Sequence, residues 1–323
     1  MGNKLLRHEL ETPLINAAGL VNGSEVGGVL RDIETLASTS IGAITVGSFT
    51  VEPRMGNAHE YGHPVEDFNR DTGAMVNALG LPNIGIDEAA RLVTDIRDAA
   101  GDKQVIFSVS PVNSDENIGS PVEQSVHMVE RLIYSGAALV ELNVSCPNIV
   151  TESGDRKSIM GHDVETMDEL VEALYDRPNH RDFVNILGIK LPPYLSVEEL
   201  RAQQKVEFIL SDAPIGFLTT SNTIPGEKPV NEHGEPVLSV PKGVGGKSGP
   251  ATMMEGRLQL ALWNKSAPDL PIISTLGVYD GEEVAAREAM GATAVEMNTR
   301  LYRSRNWQAT IAEVLDEYAQ FQD

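Results

Sequence analysis

The chain has 323 residues, 41% of them hydrophobic, and its 25 basic and 47 acidic side chains give a formal net charge of −22. It is long enough for one large domain or two ordinary ones with a sizeable core, and so negative a surface repels nucleic acid and anionic membranes. A single cysteine excludes an intramolecular disulfide, no apolar run reaches the ~18 residues of a membrane helix, and the opening MGNKLLRHELETP lacks the apolar stretch of a signal peptide, so a cytoplasmic location is expected.

Eight short apolar runs mark candidate strands at Leu14–Ala18, Ala43–Val46, Val105–Val109, Leu139–Val144, Asn185–Lys190, Gly216–Thr220, Ile272–Thr275 and Ala292–Met297. They are continuous rather than alternating, as in strands buried on both faces. Helical patterns follow at about 24–37, 86–99, 121–135, 164–176, 197–210, 251–263, 281–289 and 306–320, with Asp163, Ser196 and Asp280 as N-caps. Eight βα units predict one (β/α)8 barrel domain over 1–323. A doubly wound open sheet is the alternative, but nothing after the first strand reads as GxGxxG. Three long connections, 47–85, 145–162 and 221–250, each follow a strand and so belong to the catalytic face of a barrel.

Such barrels carry their sites at the C-terminal ends of the strands. There the sequence places Ala17-Ala18-Gly19, Gly47-Ser48, Asn143 with Ser145-Cys146-Pro147-Asn148, Lys190, Ser221-Asn222-Thr223, Thr275-Leu276-Gly277 and Asn298-Thr299. Gly277 and Thr299 suit the phosphate cradle of strands 7 and 8, or two ordinary βα turns. GVGGKSGP, 243–250, has small residues that allow close backbone approach but lacks Walker spacing, and alone it reads as a flexible loop. Lys190 ends a buried strand, where a lysine either reaches solvent past the strand end or serves a cofactor that becomes anionic. A lone cysteine is usually an inert core residue. Cys146 instead follows a strand, in a corner set by Pro147 and flanked by Asn143 and Asn148, which is a place for a proton-transfer group.

With INAAG, VNALGLPNIGID, ELNVSCPN, LGIKLPPY, SNT, GGKSG and GATAVEMNT, the chain resembles the dihydroorotate dehydrogenases over nearly its whole length. The resemblance implies FMN across the strand ends and a cysteine base, as in the cytosolic class 1 enzymes, with LPPY similar to the homodimeric, fumarate-reducing subgroup. By the same likeness Cys146 removes the C5 proton of dihydroorotate while hydride leaves C6 for the flavin. Asn77, Gly80, Leu81, Asn143, Asn148, Asn222 and Thr223 line the substrate site. Ala18, Gly47, Ser48, Asn143, Lys190, Ser221, Gly249, Leu276, Gly277, Asn298 and Thr299 surround FMN, with Lys190 beside the flavin N1–O2 edge, and the segment after Cys146 forms a lid. Two departures stand out. Gly47 falls where class 1 enzymes carry a lysine, and Asn298 replaces a glycine. Arg54, Lys247 and Arg300 are candidates for the missing charge. The alternative reading is a related flavin oxidoreductase acting on another pyrimidine-like or enone substrate.

Overall fold

The structure, a computed structural model, describes residues 4–69, 72–112, 119–146 and 159–322. Eight parallel strands close into a barrel: β1 Leu14–Asn16, β2 Ala43–Phe49, β3 Gln104–Val109, β4 Leu139–Asn143, β5 Leu187–Leu191, β6 Phe217–Thr220, β7 Ile272–Ser274 and β8 Ala294–Met297. The register runs β1 to β8 in sequence order, with β8 returning to β1. Every one of the eight expected strands is present, and a helix follows each. The expected caps Asp163, Ser196 and Asp280 accept from the backbone N–H groups of Thr166, Glu199 and Glu283.

The two-residue period of a strand sorts the barrel into layers. Odd-phase residues Ile15, Ala43, Ile106, Leu139, Phe217, Ile273 and Ala294 form one apolar cluster with Leu5 and Leu10. Their even-phase neighbours, such as Ile44, Phe107, Val140, Ile189 and Val295, pack instead with the helices. The inner cluster is thus the floor of the barrel, plugged from below by the hairpin Lys4–Leu5 and His8–Glu9. Gly188 on β5 leaves room there for the Phe217 ring, which lies 2.2 Å from where a Cβ would stand. One step up each strand the interior turns polar, with Thr45, Ser108, Glu141, Lys190, Thr219 and Glu296 all buried.

Two of the long connections are not loops. Val65–Asn69, Ala74–Asn77, Gly245–Ser248 and Ile224–Glu227 pair antiparallel into a four-stranded sheet above the barrel mouth. Of the segment 243–250 expected to be a flexible loop, Gly245–Ser248 is therefore a strand. Its glycine permits the pairing, since a Cβ on Gly245 would lie 2.5 Å from the Asn77 carbonyl oxygen. The helix expected over 86–99 is two helices, Ile86–Arg91 and Val93–Ala100, meeting at Leu92.

Candidate active site

Above the polar layer lies a cleft of two adjoining lobes, with about 510 Å³ and 600 Å³ of empty space. A concave cleft with a few convergent polar groups suits a small-molecule site. Ala18, Asn77, Asn222, Thr223 and Asn298 border both lobes.

The inner lobe is built largely of backbone. Its far wall is Ser248-Gly249, Thr275-Leu276-Gly277 and Thr299, and Ser221 and Lys190 complete it. Gly249 and Gly277 have φ of +86° and +85°. A Cβ on Gly249 would lie 2.3 Å from the Gly73 oxygen, and one on Gly277 2.4 Å from the Met253 Cα at the start of helix Met253–Ser266. Only glycine gives this curved, close-packed wall. Leu276 carries the strain of the same turn, at φ +69°. The buried Arg287 guanidinium holds that turn from behind, with one amine donating to Ser274 Oγ at 2.8 Å and the other to the Leu276 carbonyl at 3.0 Å and the Met253 carbonyl at 3.1 Å. Its Nε donates to Glu283 at 2.5 Å. Burial pulls the Arg287 pKa down while Glu283 opposes that pull. Sequence reasoning missed Arg287. The available signal was a Glu283/Arg287 pair four residues apart, on the face of its helix that also carries Val284.

Lys190 does not reach solvent. It is 3% exposed, donates to Glu296 Oε2 at 2.7 Å and lies 3.9 Å from Glu141 Oε1. Burial pulls its pKa down, but the two carboxylates outweigh burial and hold the ammonium above the ordinary lysine value. Burial pushes Glu296 up to about 7; Lys190 opposes that shift and Glu141 adds to it.

The outer lobe is built of side chains: Ser48, Asn77, Asn143, Cys146 and Asn222 with Gly80 and Leu81. Leu81 has φ +57° and, with Gly80 at +74°, turns the chain over the lobe. Asn22 joins the lining, a further residue the sequence did not single out. The amides are locked. Ser145 donates to Asn143 Oδ1 from its N–H at 3.1 Å and from its hydroxyl at 2.6 Å. Asn222 Nδ2 donates to Ser145 Oγ at 3.0 Å, and Thr223 N–H to Asn222 Oδ1 at 2.7 Å.

The expected site residues therefore converge, with two exceptions. Asn148, like Pro147 and the rest of 147–158, lies outside the described residues, and of the lid expected over 147–162 only the end is described, with a short helical turn at Met160–His162. Gly47 sits behind the lining rather than in it. Its N–H donates to the Val21 carbonyl at 2.9 Å and its carbonyl accepts from Gly19 at 2.7 Å. At φ +108° its Cβ would fall 2.5 Å from the Ser108 oxygen, so no side chain fits there. None of the candidate substitutes for a lysine lines either lobe, although Arg54 Nε donates to the carbonyl of Gly80 in the outer wall at 3.1 Å. Arg54 lines a separate depression, Lys247 borders neither lobe, and Arg300 is paired with Glu313 and Glu317. Among the described residues the outer lobe has no charged side chain.

The profile of the dihydroorotate dehydrogenase family matches residues 1–318. The chain belongs to the dihydroorotate dehydrogenase family. It is similar to the dihydroorotate dehydrogenase (fumarate) of Trypanosoma brucei brucei, 28% identical over 308 residues that cover 92% of this chain and 86% of that protein. It is also similar to dihydroorotate dehydrogenase A (fumarate) of Lactococcus lactis subsp. lactis, 26% identical over 301 residues, covering 91% and 86%. The Kluyveromyces lactis dihydroorotate dehydrogenase (fumarate) is 28% identical over 300 residues, covering 91% and 84%. Membership gives ELNVSCPN, which ends β4, its context as a family motif. Among the described residues no helix of this family member is long and apolar enough to cross a membrane.

Proposed function

We propose that the protein is a class 1-type, FMN-dependent dihydroorotate dehydrogenase, a cytoplasmic homodimer of one catalytic domain per chain, oxidising dihydroorotate to orotate with fumarate as acceptor. The observation that carries this reading is the outer lobe, which gathers Cys146 with Asn77, Asn143 and Asn222 beside a lobe that ends at Lys190.

The inner lobe fits FMN. The Gly249 and Gly277 turns offer a close-packed backbone wall for a phosphate, which binds well where backbone N–H groups converge. Asn298 Oδ1 is buried with no partner among the described residues, ready for a ring N–H. Lys190 supplies a cation where reduction places negative charge. FMN, when bound, supplies a two-electron acceptor for hydride. The chain supplies the rest. Cys146 takes the C5 proton; a free thiol ionises near pH ~8.5, so little lowering is needed for a base near neutrality. The asparagines match a pyrimidine ring, since each amide offers both a donor and an acceptor. The hydrogen bonds that tie Asn143 and Asn222 to Ser145 hold those two amides in place before substrate arrives, which limits the entropy lost on binding.

The test is anaerobic mixing of the yellow protein with dihydroorotate. Bleaching of the flavin band within a turnover time supports the reading; a colourless protein that takes up no FMN refutes it. A second reading has its own observation, the lack of charge in the outer lobe. A neutral dihydropyrimidine would meet only amides and hydroxyls there, whereas the dihydroorotate carboxylate would meet no cation among the described residues. Faster bleaching by dihydrouracil than by dihydroorotate would favour that second reading.

A further inference from the structure

Three ionisable side chains meet inside the barrel: Glu141 from β4, Lys190 from β5 and Glu296 from β8, none more than 3% exposed. Two carboxylates and one ammonium leave an excess negative charge in a buried layer, an arrangement that favours protonation of one acid.

Placement against the inner lobe decides which acid. The Ser145 N–H can only donate, so the atom of Asn143 that receives it is oxygen, and Asn143 Nδ2 must face Ser48 Oγ, 3.1 Å away. Ser48 then accepts from Asn143 and donates to Ser108 Oγ at 2.8 Å, and Ser108 spends its one proton on Glu141 Oε1 at 2.9 Å. Glu141 takes the Ser108 hydroxyl on Oε1 and borders neither lobe. Glu141 Oε2 and Glu296 Oε1 are both buried with no partner among the described residues, but of the two acids only Glu296 borders the inner lobe; it receives Lys190 on Oε2, which leaves Oε1 open. A proton on that oxygen would give Lys190 one carboxylate and would face the lobe.

We propose that Glu296 is the proton-holding partner of Lys190, taking up a proton when the occupant of the inner lobe gains negative charge and so tying the flavin potential to pH. This rests on FMN occupying that lobe. The balance is simple. Two electrons and one proton enter the flavin as hydride from the substrate and leave it a reduced anion. A second proton, from water, forms an O–H bond on the Glu296 carboxylate, and the net charge around Lys190 is unchanged.

The surroundings of Glu296 support the assignment. Lys190 and Glu141 are the charged groups acting on it, and Thr45 of β2 is a neighbouring hydroxyl. The flanking strands bring no titratable group at this level: Glu296 pairs with Ile15 on β1, and Thr275 follows the Ser274 that pairs with Val295 on β7. The helix behind β8 carries Arg287, which is already bound to Glu283. Burial, with Glu141, puts Glu296 at about 7 against the pull of Lys190, so it is half ionised near neutrality. Below that pH the proton is present in both flavin states; above it, reduction must draw the proton in.

The experiment is the two-electron midpoint potential of the FMN-loaded protein against pH, for the wild type and for Glu296→Gln, which keeps shape and a Lys190 acceptor. Above pH 7 the wild-type reduction equilibrium should fall an extra tenfold per pH unit, about 30 mV for a two-electron couple, and Glu296→Gln should lack that extra slope. Reduced-minus-oxidised infrared spectra at pH 8 should show a protonated carboxyl band that the variant loses. Parallel slopes and unchanged infrared spectra in a yellow, substrate-reducible variant would overturn the proposal while leaving the proposed function intact. A chain that binds no FMN would overturn both.

Discussion

The two lobes of the cleft are made in opposite ways. The inner lobe is a backbone construction, fixed by Gly249, Leu276 and Gly277, clamped from behind by Arg287 and floored by a buried charge cluster. The outer lobe is a side-chain construction, uncharged among its described residues and held by amide-to-hydroxyl bonds. A backbone wall accepts few changes and suits a ligand that never varies. A wall of amides can be re-specified one residue at a time and suits the ligand that distinguishes one enzyme from another. The departure at Gly47 belongs to the outer, variable side.

The sharpest way to separate the lobes is Cys146→Ala. The substitution should leave FMN content and orotate affinity nearly unchanged while flavin reduction by substrate falls about 100- to 10,000-fold, the usual contribution of a positioned acid–base group. Stopped-flow reduction at several pH values reads both the loss and the disappearance of one ionisation. Reduction at the wild-type rate would remove Cys146 from the reaction.

The inner lobe should break through Arg287. Arg287→Met leaves the carbonyls of Leu276 and Met253 and the Ser274 hydroxyl without their donor. Glu283 keeps Arg257, which donates to it through Nε at 3.0 Å. The cost should therefore fall at the low end of the roughly 3–5 kcal/mol expected for breaking a buried pair, about 3 kcal/mol. Denaturant titration measures it, and FMN affinity should fall with it although Arg287 borders neither lobe. Unchanged FMN affinity would mean the turn holds itself.

Lys190→Ala tests the charge in that lobe. The cation acts more strongly on the reduced anion than on the neutral oxidised ring, so the midpoint potential should drop by the equivalent of about ten- to a hundredfold, the worth of one charge-assisted bond. Binding of oxidised FMN should weaken by less. Equal losses would make Lys190 a structural residue only.

How much of this was legible depended on the distance over which each feature is written. The eight strands, the helices and the caps at Asp163, Ser196 and Asp280 are local signals, and apart from the break at Leu92 they fall where the sequence put them to within a few residues. The strand-end rule then assembled most of the cleft without coordinates. The antiparallel sheet was hidden because its pairing joins 74–77 to 245–248 across some 170 residues, through a glycine-rich strand that reads as a loop. Arg287 and Glu296 were hidden because nothing local says which buried charge meets which. Gly47 is the instructive case. The missing lysine was visible, but not that φ +108° and the Ser108 carbonyl bar a side chain there. Gly47→Lys should therefore not restore a lost carboxylate contact. It should destabilise the fold by roughly 1–3 kcal/mol of backbone strain with no gain in orotate affinity, and tighter orotate binding in a stable variant would show that β2 can re-form around the new side chain.

The smallest expected effect is the most informative about how separate the lobes are. One hydrogen-bonded path joins them, from Asn143 through Ser48 and Ser108 to Glu141, which lies 3.9 Å from Lys190. Ser48→Ala cuts it. Asn143 Nδ2 loses its acceptor while Oδ1 stays held by Ser145, so ligand affinity in the outer lobe should fall about two- to tenfold, the worth of one neutral hydrogen bond of ~0.5–1.5 kcal/mol. Glu141 keeps the Ser108 hydroxyl as its donor, so the charge balance around Lys190 is preserved and the flavin potential should move by less than the ligand affinity does. Titration with orotate and a potential measurement on the same preparation give the two numbers side by side. A potential shifted as much as the affinity would mean that the direction of this chain, and not only the charges at its end, sets the state of the inner lobe. The two lobes would then have to be treated as one electrostatic unit.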